Sequence, residues 1–215
     1  MREQPLRPGR PLGFQIHRVP FFLEPSYPED ESWSETNVER KLRKFGSADA
    51  WAKVVKSHRL AERGAEVGIE QFENERVCGS TVKSHRLVQW VTQLHGSATA
   101  ERLYDHLNEQ HFIEGRKLND TDLLVECAVG VGLPADEVRD FLSGNEGRSA
   151  VLAMFEEVKR YSIHSIPTFV FDGRLMVQGA AHADEIERVL RSLEQEVADG
   201  EGGALRGRPA FALQH

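Results

Sequence analysis

At 215 residues and 24.3 kDa the chain suits one domain, or one domain carrying an insertion. Roughly 70% of the unfolded surface of such a chain can be buried, so no disulfide or metal staple is required. A net charge of −7 disfavours a nucleic-acid footprint, and the longest apolar run is far too short to span a bilayer. With only Cys78 and Cys127, a disulfide scaffold is excluded and a reducing, cytoplasmic compartment is expected.

Residues 1–13, rich in Arg and Pro and without an apolar core, read as a disordered lead-in rather than a secretory signal. Phe14 to Val19 reads as a short strand, with Phe14 and Ile16 on one face and Pro20 ending it. Pro25, Pro28 and Glu29-Asp30-Glu31 follow as a solvated loop. Val38, Leu42 and Phe45 stripe a helix that Gly46 stops, and Ser47 caps a second helix running up to Gly64. Helical spacing then recurs at Leu87, Val88, Val91 and Leu94, and again at Leu103, Tyr104, Leu107 and His111. Asp120 is a good cap for a helix burying Leu123, Leu124, Cys127 and Val131, and Pro134 suits the first position of the next, which Gly144 ends. A further helix spans about Ser149 to Tyr161.

The period then changes. Thr168-Phe169-Val170-Phe171 is a continuous apolar run, Asp172-Gly173 is a two-residue hairpin signal, and Arg174 to Gln178 is the returning strand. Ile186, Val189, Leu190, Leu193 and Val197 stripe a closing helix, and residues 199–215 have the composition of a disordered tail. The pattern predicts an α/β sandwich at 14–198 with a helical insertion at about 35–162, the closing helix on one face of the hairpin and inserted helices on the other. The hexapeptide Val-Lys-Ser-His-Arg-Leu occurs at 55–60 and 82–87, but nothing around the copies matches, so it is no repeat.

This order resembles the DsbA family of thioredoxin-like proteins, its FrnE-type branch in particular, over residues 14–197. The resemblance is carried by Ser165-Ile166-Pro167-Thr168-Phe169-Val170-Phe171-Asp172-Gly173-Arg174 with Gln178-Gly179-Ala180-Ala181. Ser80-Thr81 with His85-Arg86-Leu87, the Glu114-Gly115-Arg116 segment, the helix pair from Leu123 to Leu142, and Val19 to Pro25 add to it. It implies a thioredoxin-like fold with a helical insertion and a thiol-disulfide oxidoreductase class of activity. It also implies a cis bond at Ile166–Pro167, whose backbone binds thiol- or disulfide-containing peptide or protein substrates, with no cofactor, nucleic acid or membrane involved.

The departures are as informative. The family opens with a strand and a helix bearing Cys-x-x-Cys, and no Cys-x-x-Cys occurs in these residues. Ser80 and Ala181 replace the family's usual Asn and Gln. On this reading the N-terminal βα unit is missing, and the chain is an incomplete gene product or an isoform begun at an internal Met. The other reading is a diverged protein whose 14–19 strand pairs directly with the hairpin.

No catalytic residue is assigned. Cys78, expected close to a helix N-terminus whose dipole favours thiolate, is a possible redox residue. Cys127 lies on an apolar stripe and reads as core. The nine histidines show no ligand spacing, so no metal site is expected, and Gly130-Val131-Gly132 reads as a helix end. Two functions remain: a DsbA-type oxidoreductase, truncated and inactive where Cys-x-x-Cys is absent, or a redox-inactive module that binds peptides on the same scaffold.

Overall fold

The computed structural model describes residues 13, 15–70, 72 and 75–198, so the lead-in to residue 12, Phe14 and the tail from residue 199 lie outside the described residues. The elements are β1 (Glu35–Thr36), α1 (Asn37–Phe45), α2 (Ala48–His58), α3 (Leu60–Ala65), β2 (Val77–Cys78), α4 (Val82–His95), α5 (Ser97–Phe112), α6 (Thr121–Gly130), α7 (Ala135–Ser143), α8 (Arg148–Arg160), β3 (Thr168–Phe171), β4 (Leu175–Gln178) and α9 (Ala183–Ala198). They fall into two compact units, one of residues 22–152 and one of residues up to 21 together with 153 onward. The first is the expected helical insertion, though it begins and ends earlier in the chain than 35–162.

The core of the helical unit lies among α4, α5, α6 and α7. Leu87, Val91, Leu103, Leu123, Leu124 and Val138 are fully buried there, and Trp90 stacks on Phe141 with ring centroids 4.7 Å apart. Each such aliphatic side chain contributes about 1.5–3 kcal/mol on leaving water, which is what holds helices of modest intrinsic stability together. Their ends are set locally. Asp120 accepts from the Leu123 N–H at 3.1 Å, as expected of a cap. Pro134 proves to be the cap residue of α7 rather than its first residue, with extended backbone at φ −67° and ψ 128°. Arg86, only 5% exposed, closes the other end of α7 by donating from Nη2 to the carbonyls of Phe141 (3.3 Å) and Gly144 (2.7 Å) and from Nε to that of Glu146 (2.7 Å).

Three expectations for this unit need correction. The α1 stripe faces outward, with Val38 36% and Leu42 41% exposed, whereas Asn37 and Lys41 are buried. A Thr36/Glu39 capping box sets where the helix starts, and the packed face is the one whose long lysine stem can lay its ammonium 4.2 Å above the Trp51 ring. The single helix expected to end at Gly64 is two, because Arg59 adopts φ 46° between α2 and α3. Gly64 instead lies inside α3, where a Cβ would come within 2.8 Å of both the Ile69 carbonyl oxygen and the Phe72 ring.

The third concerns Glu29-Asp30-Glu31, expected as a merely solvated loop. Glu31 accepts from Lys83 Nζ (2.8 Å), Thr121 Oγ1 (2.7 Å) and the Thr121 N–H at the start of α6 (2.9 Å). Glu29 pairs with Arg148 at the start of α8 (2.6 Å), and Asn119 donates to the Asp30 carbonyl (3.3 Å). The loop is thus a polar staple across α4, α6 and α8.

In the other unit the described residues of the expected 14–19 strand, 15–19, lie in no strand. Residues 15–22 form no ladder, and Ile16 is 58% exposed. Pro20 offers no N–H to a ladder. Pro20 is itself buried, and Phe21 meets Phe155 of α8 edge-on at 5.7 Å. The hairpin forms where expected, with register Thr168↔Gln178, Phe169↔Val177, Val170↔Met176 and Phe171↔Leu175. Asp172 and Gly173 both have positive φ, 51° and 69°, as the Asp-Gly turn requires.

Both faces of the hairpin were expected to be covered, and neither is fully. Phe171, Leu175 and Val177 are half-buried, but Phe169 on their face is 39% exposed, and Val170 and Met176 on the opposite face are 37% and 42% exposed. The α9 stripe is likewise only half-buried at Ile186, Val189, Leu190 and Leu193.

Candidate functional site

The segment before β3 carries the most distinctive backbone in the chain. The Ile166–Pro167 bond is cis. The loop is held from both sides: Thr168 Oγ1 donates to the Ser165 carbonyl at 2.8 Å, and the Gly179 N–H donates to the Pro167 carbonyl at 2.8 Å. Gly179 can take this place because its φ of +88° is open to glycine. Between those two ties, Ile166 is 49% exposed, and its N–H and C=O make no hydrogen bond with any described residue. An exposed, fixed residue with both backbone groups unspent is a ready partner for an extended peptide. Beyond it β3 pairs only with β4 among the described residues, so its other edge is open as well.

The exposed Val170 and Met176 beside this loop were missed by reading the sequence. Each strand has three successive apolar residues, and that continuity suggested burial on both sides.

Cys78 lies on β2, paired with Glu35 of β1, three residues before the N-cap of α4. Its thiol is buried, and that burial pushes its pKa up against the pull of Arg76 and Arg40. Burial thus works against the thiolate that the start of α4 would favour. Cys127 is buried on α6, as expected, and burial pushes its thiol up to about 11. Both cysteines are free, and each belongs to the helical unit, whereas Ile166 and Pro167 belong to the other.

The histidines divide by environment. His111 Nδ1 donates to the Arg116 carbonyl at 2.8 Å, and burial holds its pKa below the usual value, so it serves as a neutral clasp on the loop after α5. His106 is exposed and lies 4.0 Å from Glu109. Among the described residues no three His, Cys, Asp or Glu side chains gather as a metal site would need, and no helix is long and apolar enough to cross a membrane.

Comparison with known proteins agrees with this architecture. Residues 12–191 match the DSBA-like thioredoxin domain family. A crystal structure of a probable DsbA oxidoreductase from Streptomyces coelicolor superposes with a TM-score of 0.69 and 28% identity, over 86% of this chain and 76% of that one. Among curated proteins, UDP-N-acetylmuramate--L-alanine ligases of Mycobacterium bovis and Mycobacterium tuberculosis are 33% identical over 153 residues, 67% of this chain. The match spans only 29% of the length of those ligases. The family match covers both units and the structural match most of the chain, and the fold is thioredoxin-like with a helical insertion: the chain belongs to the DSBA-like thioredoxin domain family.

Proposed function

We propose that the protein is a thiol-disulfide oxidoreductase-type member of the family, of the FrnE-type branch, acting in the cytoplasm. On this reading, Ser165 to Gln178 holds an extended stretch of a thiol- or disulfide-containing peptide. The observation that carries the proposal is Ile166: half exposed, fixed by hydrogen bonds on either side, and free at both backbone groups. A peptide laid along it gains two backbone hydrogen bonds in a fixed register, with Phe169 and Val170 beside it for apolar contact.

The thiols of this chain are not poised for attack. Exchange requires a thiolate, and burial raises both Cys78 and Cys127 away from that form. What these residues supply is the part that receives and orients the substrate chain.

The test is an NMR titration of the 215-residue protein with an extended cysteine-containing peptide, beside an insulin-reduction assay. Saturable shifts at Ser165–Thr168 and at Gly179 are expected. Ile166→Pro removes one of the two free backbone groups and weakens binding by about tenfold. Insulin reduction should stay at the background rate. Shifts confined to the helical unit, or unchanged affinity in a folded Ile166→Pro protein, would refute the docking role.

A further inference from the structure

The helical unit contains a cavity of about 260 Å³ at the start of α4. It is independent of the hairpin, since every residue lining it lies between Glu29 and Asn145. Its walls hold an unusual surplus of unspent polar groups. The Arg86 side chain lines it with Nε and Nη2 committed to three carbonyls, which leaves Nη1 without a hydrogen-bond partner among the described residues.

Asn119 lines it too. Its side chain is fully buried, its Nδ2 is tied to the Asp30 carbonyl, and its Oδ1 has no hydrogen-bond partner. A carbonyl can only accept, so that tie also fixes which end of the amide is oxygen. Ser80, 5% exposed, accepts from the Val82 N–H at 3.3 Å, and its own proton has no acceptor among the described residues. Thr81 gives α4 no side-chain cap, so the positive end of a 14-residue helix also faces this region.

The charges around the cavity do not cancel. Lys83 is neutralised by Glu31 at 2.8 Å and Glu29 by Arg148 at 2.6 Å. Arg86 donates hydrogen bonds only to carbonyls, lies over the Phe141 ring at 5.1 Å, and makes no ion pair among the described residues. One buried positive charge is left over, and the carboxylate of Glu29 at the wall works against a dianion. Val82 and Leu142 supply the apolar part of the lining.

We propose that this cavity binds a small monocarboxylate. The carboxylate accepts from Arg86 Nη1 and the Ser80 hydroxyl, and the short carbon chain lies against Val82 and Leu142. A buried guanidinium N–H without an acceptor is costly, and a carboxylate supplies one. The volume is below that of ordinary drug-sized pockets.

The experiment is an NMR titration of the 215-residue protein with glycolate, acetate, inorganic phosphate and methylammonium, reading the backbone amides of Gly79–Ser84 and Asn119. Glycolate and acetate are both expected to saturate these shifts. Phosphate and methylammonium should bind more weakly than either. Ser80→Ala, which keeps the packing, should weaken glycolate by about tenfold with the melting temperature little changed. The proposal is overturned by the absence of saturable shifts at these amides up to about 50 mM ligand. Phosphate or methylammonium equal to glycolate, or an unaffected Ser80→Ala protein, would overturn it as well. Because Arg86 also closes α7, its substitution is not used as the test.

Discussion

Cys127 sits on the inner face of α6, where burial raises its thiol to about 11 and leaves about one thiolate in ten thousand at pH 7. Native protein should therefore react with iodoacetamide at pH 7 at least about 100-fold more slowly than a free cysteine peptide, at Cys127 and at buried Cys78 alike. Guanidinium should restore the ordinary rate at both, with mass spectrometry of the two peptides as the readout. Fast native labelling of Cys78 would show that the cations near it, Arg76 and Arg40, outweigh its burial. Gly79, next in the chain, poses a steric question instead. A Cβ there would stand 2.4 Å from Asn119 Oδ1, and Asn119 cannot swing away because it is buried and bonded to Asp30. Gly79→Ala should cost about 1–3 kcal/mol in denaturant unfolding, and a neutral result would mean that the amide is free to move.

At the scale of elements, local chemistry predicts its own consequences. Thr36 accepts from the Glu39 N–H at 3.2 Å, and the Glu39 carboxylate accepts from the Thr36 N–H at 2.7 Å. Thr36→Ala should cost about 1 kcal/mol of stability, and Thr36→Ser should recover most of it. Equal stability of the Ala and Ser proteins would show that the box is not formed in solution. The same locality explains which elements were legible in the sequence. The caps at Asp120 and Ser47, the stripes of α4 to α7 and the Asp172-Gly173 turn depend on neighbours a few positions away, and each was found where its residues implied, except that Leu94 at the end of the α4 stripe is 59% exposed. The 14–19 strand failed because a strand needs a partner that its own residues cannot provide. The α1 stripe failed because Lys41 finds Trp51 across a helix-helix contact, and Lys is scored as polar by any periodicity count. At the candidate site, Ile166 and Pro167 were legible from the resemblance of their segment. The bare face at Val170 and Met176 depends on what covers the hairpin, and strand alternation does not record that.

For the molecule as a whole, the match over residues 12–191 runs through both compact units, so the family's fold includes a helical unit that must hold together by its own contacts. Its apolar core is one support, and the Glu29-Asp30-Glu31 staple is the other. Burial works to raise the Glu31 pKa, but hydrogen bonds from Lys83 and Thr121 outweigh it and hold the carboxyl at about 2, well below the ordinary 4.5. Glu29 is also lowered, chiefly by its hydrogen bonds with Arg148. A carboxyl whose pKa is lowered by folding stabilises the folded state in full above its unfolded value and loses that contribution as pH falls through the folded one. The staple should therefore act fully above about pH 4.5 and fade toward pH 2. Glu31 remains 43% exposed, so solvent screening keeps its share to about 1 kcal/mol or less. Glu31→Gln removes the titrating group while keeping a hydrogen-bonding side chain of the same length. Urea midpoints of the two proteins should differ most near neutral pH and converge as pH drops from 4.5 to 2, with the native protein losing more. A gap that stays constant through that range would mean that the Glu31 charge does no stapling, leaving the junction of α4, α6 and α8 to its apolar contacts.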